Sequence, residues 1–156
     1  MPEHPAVDNV IQRIHQDVIG GAADTAKEVI QAVRQVVQDS EAGTADALAR
    51  ETETAVMALL RALPSFAPPI NALHRVMRSV ETGQEHGLDL NEFRSQILNS
   101  IEEFLTFAED ALGKVAQYGA EALRDGDTLF MYSMSSTVWR VIKAAHDQGK
   151  QLRVLV

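Results

Sequence analysis

The hydrophobic pattern changes its period once along this chain of 156 residues, and that change constrains the fold more than any other feature. As far as residue 123, apolar residues recur every three or four positions, which is typical of amphipathic helices. Beyond residue 125, two apolar runs, at 128–132 and 152–156, flank one helical segment that contains Val138, Val141 and Ile142. A strand, a helix and a strand in this order predict a βαβ unit, in which the strands are parallel and the crossover is right-handed.

Helical segments are predicted before this change at residues 7–19, 22–37, 44–63, 69–80 and 89–123. Gly20-Gly21 is expected to end the first segment, because glycine adopts the left-handed conformation of a helix C-cap without steric cost. Residues 83–87 are predicted to form a polar loop. Asp89, with Glu92 three residues later, resembles a capping box and begins the longest helix.

These segments predict a mostly α chain in three parts. Residues 1–88 form an N-terminal helical domain, residues 89–124 a long connecting helix, and residues 125–156 the first βαβ unit of a Rossmann-like parallel α/β domain. The run 128–132 is typical of a strand that is buried on both faces. One crossover helix covers one face of two strands and leaves their outer edges unpaired. We therefore expect the α/β domain to be truncated in this chain, or completed by strands from another chain.

Charge and composition exclude several classes of function. The chain has 22 acidic and 14 basic residues, a net charge of −8, whereas nucleic acids and anionic membranes select basic surfaces. It has no cysteine, and its five histidines lack ligand spacing, so we predict no metal site and no cofactor. The amino terminus lacks the basic and apolar parts of a signal peptide, and no apolar run spans a bilayer. We expect a cytoplasmic protein without nucleic-acid or membrane partners.

Three serines follow the first predicted strand, where the ligand site of a Rossmann-like sheet begins. Ser133, Ser135 and Ser136 precede a helix, and the amides at a helix N-terminus can bind phosphate. In the alternative interpretation, Ser135 or Ser136 only caps the helix. A nucleophilic role for Ser133 requires a neighbouring base, and no histidine stands next to it in the sequence.

A second candidate for phosphate binding lies near the amino terminus. Gly20, Gly21 and Ala22 precede the second predicted helix and can present backbone amides to an anion. The alternative is a plain corner between two helices, which needs no ligand.

The C-terminal part of the chain resembles a known superfamily. It contains the alpha, beta and delta regulatory subunits of eukaryotic translation initiation factor 2B, methylthioribose-1-phosphate isomerase and ribose-1,5-bisphosphate isomerase. The residues that carry the resemblance are Asp125-Gly126-Asp127, Ser135-Ser136-Thr137-Val138, Ala144-Ala145-His146, Gly149-Lys150 and Val154-Leu155-Val156. Two upstream segments are also similar: Gly20-Gly21-Ala22, and Pro64-Ser65 through Asn71-Ala72-Leu73-His74-Arg75. The resemblance implies a helical domain, a long connecting helix and a Rossmann-like domain, of which this chain covers about half.

The resemblance also separates catalytic from non-catalytic members. In the isomerases two arginines hold the substrate phosphate, since a guanidinium donates two hydrogen bonds in fixed geometry, and a cysteine follows the first Rossmann strand. The matching positions here are Gly20, Leu63 and Ser133. The partner aspartate of the isomerases would lie beyond residue 156. We therefore assign no catalytic residue.

These departures favour a non-catalytic regulatory or scaffold member of the translation initiation factor 2B subunit family. We expect it to assemble into a homo- or hetero-oligomer through the C-terminal half and to bind a phosphorylated metabolite, such as a sugar phosphate, or a nucleotide. The alternative is a sugar-phosphate aldose–ketose isomerase, of the methylthioribose-1-phosphate or ribose-1,5-bisphosphate type, with a divergent site. A third hypothesis is an independent helical interaction module whose final strand pairs with a partner.

Overall fold

The computed structural model describes residues 4–16, 21–63, 65–133 and 135–156. The described residues form helices and strands in the order α1 Pro5–His15, α2 Ala22–Asp39, α3 Ala45–Ala62, α4 Ala67–Glu85, α5 Leu90–Ala122, β1 Thr128–Phe130, α6 Ser136–Asp147 and β2 Arg153–Leu155. By its internal contacts the chain divides into two compact units, Met1–Leu105 and Thr106–Val156. The mostly α fold with one parallel βαβ unit is confirmed. The three-part division at residues 88 and 124 stays a prediction.

The first unit encloses one hydrophobic core built from the apolar stripes of its helices. The apolar stripe of α2 is buried at Ala26, Val29, Ile30, Val33 and Val37, and that of α3 at Leu48, Ala55 and Leu59. Thr44 caps α3 by accepting a hydrogen bond from the Ala47 amide at 3.2 Å. Thr25 and Thr52 are the buried polar residues of the described chain, and each donates its hydroxyl to the carbonyl four residues earlier.

The first helix begins and ends earlier than predicted. It starts at Pro5 because proline suits the first helical position and because His4 accepts a hydrogen bond from the Ala6 amide at 3.2 Å. Its last helical residue is His15 and its C-cap is Gln16, so the prediction that the helix continues through residue 16 is wrong. The predicted C-cap at Gly20 falls in residues 17–20, outside the described part of the chain.

The fourth helix is longer than the predicted 69–80, and the polar loop predicted at 83–87 is wrong. Helix α4 runs from Ala67 to Glu85, with proline in its first turn, where no backbone donor is required. Gly83 is a buried helical residue that lies against the ring of Phe93. Contact with a neighbouring helix therefore outweighs the weak helix propensity of glycine. The remaining turn passes through Gly87, whose φ of +62° suits glycine.

The long helix α5 spans 33 residues and begins with the predicted capping box. Asp89 Oδ1 accepts from the Glu92 amide at 2.9 Å, and the Glu92 carboxylate accepts from the Asp89 amide at 3.3 Å. Near the start of α5, Arg94 donates to the carbonyl of Ser40 at 2.9 Å and to that of Val37. These bonds join α5 to the C-terminal end of α2, where helix carbonyls lack intrahelical donors.

The second unit contains the predicted βαβ motif. Strands β1 and β2 are parallel, with Leu129 paired to Val154, and α6 connects them. Burial of the first strand on both faces was predicted and is wrong. Leu129 is half-buried, but Phe130 is 72% exposed and its pairing partner Leu155 is 49% exposed. Neighbouring side chains on a strand point to opposite faces, and nothing in the described chain covers the face that carries Phe130.

Helix α6 ends in a Schellman motif at Gly149. Gly149 has φ of +86°, its amide donates to the His146 carbonyl, and the Lys150 amide donates to the Ala145 carbonyl. The same turn holds the end of α5, because the Lys150 ammonium donates to the carbonyls of Ala120 and Leu123 at 2.6 and 2.9 Å. A cation at a helix C-terminus also interacts favourably with the helix dipole.

Candidate functional site

The serine turn, residues Ser133, Ser135 and Ser136, lies between the carboxyl end of β1 and the start of α6. The chain leaves the sheet after Met131, whose amide donates to the Leu155 carbonyl at 2.8 Å. Ser133 is exposed in the bend, Ser135 is the N-cap of α6, and Ser136 is the first helical residue. The turn is thus located where parallel α/β sheets bind their ligands.

Ser135 performs the capping role that was the alternative to ligand binding. Its Oγ accepts from the Val138 amide at 3.3 Å, and its carbonyl accepts from the Trp139 amide at 2.9 Å. The amides of Ser136 and Thr137 have no acceptor within the helix and remain available to an anion, together with the positive end of the α6 dipole. Ser133 makes no hydrogen bond to any described histidine or carboxylate, so nothing in this part of the chain activates it as a nucleophile.

The glycine corner, Gly20-Gly21-Ala22, is described from Gly21 onward, and Gly20 lies outside the described residues. Gly21 is the N-cap of α2 in an extended conformation, with φ of −66° and ψ of 179°. Its carbonyl accepts from the amides of Asp24 and Thr25 at 3.0 and 3.1 Å. Ala22 begins the helix, so its amide is one of the first-turn donors without an intrahelical acceptor. The ligand-binding role of these residues stays a prediction.

The two candidate groups belong to different compact units, the glycine corner to Met1–Leu105 and the serine turn to Thr106–Val156. Each presents helix N-terminal amides, and neither group contains a charged side chain of its own. Leu63, which matches the second phosphate-binding arginine of the isomerases, is the C-cap of α3 and packs against the core of the first unit. Its side chain has no donor for a phosphate.

A polar groove between α4 and α5 was not predicted from the sequence. We call it the α4–α5 groove; its cavity volume is about 690 Å³, and it is lined by Asn71, His74, Arg75, Arg78, Ser79, Thr82, Gln96 and Ser100. The α4 residues among them recur at intervals of three and four, which places them on one helix face. That polar stripe was visible in the sequence, but the contribution of α5 was not.

The described part of the chain gives no sign of a metal site or a membrane span. No three side chains of histidine, aspartate or glutamate come together there. None of its helices combines the length and the apolar character that crossing a membrane requires.

Comparison with known proteins identifies relatives across almost the whole chain. Ribose 1,5-bisphosphate isomerase of Haloferax volcanii is 31% identical over 98% of the chain, and the enzyme of that name from Pyrococcus furiosus is 30% identical over 96%. The chain spans about half the length of these curated relatives, 46% of each.

Solved structures agree with the fold. The tetrameric eIF2B-beta2-delta2 complex from C. thermophilum contains a chain that is 25% identical, with a TM-score of 0.73 over 95% of this chain and 48% of that one. The 5-methylthioribose 1-phosphate isomerase from Pyrococcus horikoshii has a TM-score of 0.77 at 22% identity, over 94% of this chain and 43% of that one.

The family profile settles the membership that the resemblance predicted. The profile described as the initiation factor 2 subunit family matches residues 18–156, which is most of the chain. The chain therefore belongs to the initiation factor 2 subunit family.

Proposed function

We propose that this protein binds a sugar phosphate and interconverts its aldose and ketose forms, as an isomerase of the ribose 1,5-bisphosphate type with a divergent site. One observation carries the proposal: five curated relatives with that name are 27–31% identical over 92–98% of the chain. The sequence alone favoured the regulatory subunit over the isomerase, and these relatives favour the isomerase.

The serine turn supports a phosphate-binding role in this reaction. A phosphate at the start of α6 would accept hydrogen bonds from the free amides of Ser136 and Thr137 and would lie at the positive end of the helix dipole. The glycine corner offers similar amides at Gly21 and Ala22. These groups would replace, at lower strength, the guanidinium donors that Gly20 and Leu63 do not supply.

Ser133 is the residue whose chemistry differs most from that of the isomerases. Aldose–ketose isomerisation moves a proton between adjacent carbons and requires an acid and a base near the carbonyl. In the resemblance, Ser133 occupies the position of the catalytic cysteine. A serine hydroxyl is a much weaker acid than a thiol, whose pKa in unfolded chains is about 8.5. We therefore expect slow turnover.

A single substitution tests this proposal. The complete gene product is incubated with ribose 1,5-bisphosphate and ketose formation is followed, for the unmodified protein and for Ser133→Cys. We expect measurable turnover that increases in Ser133→Cys. Ser95→Cys, at an exposed serine of α5, is the matched control and should leave the rate unchanged. Absence of product from both the unmodified protein and Ser133→Cys would overturn the isomerase proposal.

The second candidate is a non-catalytic regulatory or scaffold subunit, favoured by Leu63 and Ser133. Both positions lack the groups that the isomerases use, and a subunit that only assembles does not need them. This candidate requires a homo- or hetero-oligomer, as in the solved tetrameric eIF2B-beta2-delta2 complex. Light scattering of the complete gene product tests it: a monomer at micromolar concentration, alone and with its co-purified partners, would contradict it. The cytoplasmic location stays a prediction.

A further inference from the structure

The α4–α5 groove has a composition unlike the rest of the chain. Two arginines and one histidine line it, the other five lining residues are neutral and polar, and no carboxylate is among them. The chain as a whole has 22 acidic and 14 basic residues. A cationic groove on an acidic protein attracts anions locally, although the long-range field repels them.

The cations in the groove are largely uncompensated. Arg78 forms no ion pair with any described residue. Arg75 has one partner, the Glu103 carboxylate, at 3.7 Å, and both side chains are about half-exposed or more. An exposed pair at that distance contributes little, so a bound anion can replace Glu103 at small cost.

One wall of the groove is held rigid by bonds between the two helices. Gln96 Nε2 donates to the Ser79 carbonyl at 2.7 Å, and Ser79 Oγ donates to the Gln96 carbonyl at 3.4 Å. The cations therefore project from a wall that is already ordered, which lowers the entropy lost on binding.

We propose that the α4–α5 groove binds a compact polyanion with two adjacent phosphate groups, such as inorganic diphosphate. Arg75 and Arg78 lie three residues apart on α4, so their guanidinium groups can reach adjacent phosphates, and His74 lies beside them. Asn71, Thr82 and Ser100 add neutral donors around them. Apart from the imidazole of His74, the lining residues are not aromatic, and none is aliphatic, so the groove is suited to a polar ligand. This site is lined by residues of the first unit alone, none of them from the serine turn, and does not depend on isomerase activity.

The test uses inorganic diphosphate as the probe. Calorimetric titration of the complete gene product at low ionic strength should give saturable binding, and hydrogen exchange should show protection of residues 71–82. Arg78→Gln should weaken the binding that produces this protection about tenfold. Arg78→Lys should recover only part, because an ammonium cannot bind phosphate in the bidentate mode.

Two control variants distinguish binding in the groove from a general effect of charge and from binding at the serine turn. Arg61→Gln removes an equal charge from an exposed position on α3 and should leave diphosphate affinity unchanged. Ser136→Pro removes one free amide of the serine turn and should leave protection of residues 71–82 intact. Absence of protection in that segment, or equal weakening by Arg61→Gln and Arg78→Gln, would overturn the proposal.

Discussion

Gly83 offers the sharpest test of how α4 packs on α5. A Cβ atom at this position would lie 2.6 Å from Phe93 Cδ2, 2.7 Å from Phe93 Cε2 and 3.1 Å from Gln96 Nε2. Neither neighbour can move freely. Phe93 is fully buried, and Gln96 Nε2 is hydrogen-bonded to the Ser79 carbonyl at 2.7 Å. Gly83→Ala must therefore displace an aromatic ring that the core already holds.

Two opposing effects decide the sign of this substitution. Alanine in a helix interior is more favourable than glycine by about 1 kcal/mol. Overpacking a well-filled core costs about 1–3 kcal/mol. Carbon atoms at 2.6 Å are far inside their optimal separation of about 3.5–4.0 Å, so we expect the cost of a Cβ at Gly83 to lie near the upper end of that range. We expect Gly83→Ala to lower the free energy of unfolding by about 1–2 kcal/mol.

Gly113 is the matched control, since it is a helical glycine of α5 and no atom lies within 4 Å of the point that its Cβ would occupy. Gly113→Ala should raise stability by about 1 kcal/mol, from helix propensity alone. Urea unfolding of the complete gene product gives both midpoints, and hydrogen exchange assigns each change to its helix.

A double variant tests the contact directly. In Gly83→Ala/Phe93→Leu, the smaller side chain at position 93 should make the double variant less destabilised than the sum of the two single substitutions. Stabilisation by Gly83→Ala equal to that by Gly113→Ala would refute close contact between Gly83 and Phe93.

Two further substitutions test bonds that hold helix ends. Lys150→Met keeps the aliphatic stem but removes the hydrogen bonds to the carbonyls of Ala120 and Leu123. Amide hydrogen exchange in the last turn of α5 should therefore accelerate about tenfold or more. Lys143→Met is the control and should have little effect, because the Lys143 ammonium pairs with an exposed carboxylate. Arg94→Ala leaves carbonyls at the end of α2 without their donor and should lower the free energy of unfolding by about 1.5–3 kcal/mol, which is measured as a lower thermal midpoint. Arg50→Ala, at an exposed position of α3, is the control. Equal midpoints for the two variants would contradict this bridge.

Three helix ends lie where the sequence places a capping side chain or glycine, whereas α1 begins and ends earlier than predicted. The pair Asp89 and Glu92 forms the predicted capping box, and Thr44 and Gly149, residue types typical of helix caps, make the hydrogen bonds of an N-cap and a C-cap. A cap depends on residues within a few positions, so a short window of sequence contains all that is needed. The change in hydrophobic period near residue 125 was equally local, and it predicted the βαβ unit correctly.

The candidate site was predictable in position and less so in role. The location of Ser133 and Ser135 follows from a strand that ends before a helix, which the sequence contains. Whether Ser135 caps the helix or contacts a ligand depends on its rotamer, and the rotamer depends on its surroundings. The free donors of the turn are backbone amides, which every residue except proline has, so the residue types do not indicate them.

Residue order alone therefore specified the capping box of α5, the amphipathic stripes and the parallel βαβ unit, because each depends on neighbours along the chain. Tertiary contact decided the rest. Gly83 lies within α4 with the ring of Phe93 packed against it, and Phe130 is exposed because no described element covers its face of the sheet. The α4–α5 groove needs Gln96 and Ser100 beside a stripe of α4, and side chains on different helices meet only once the helices pack.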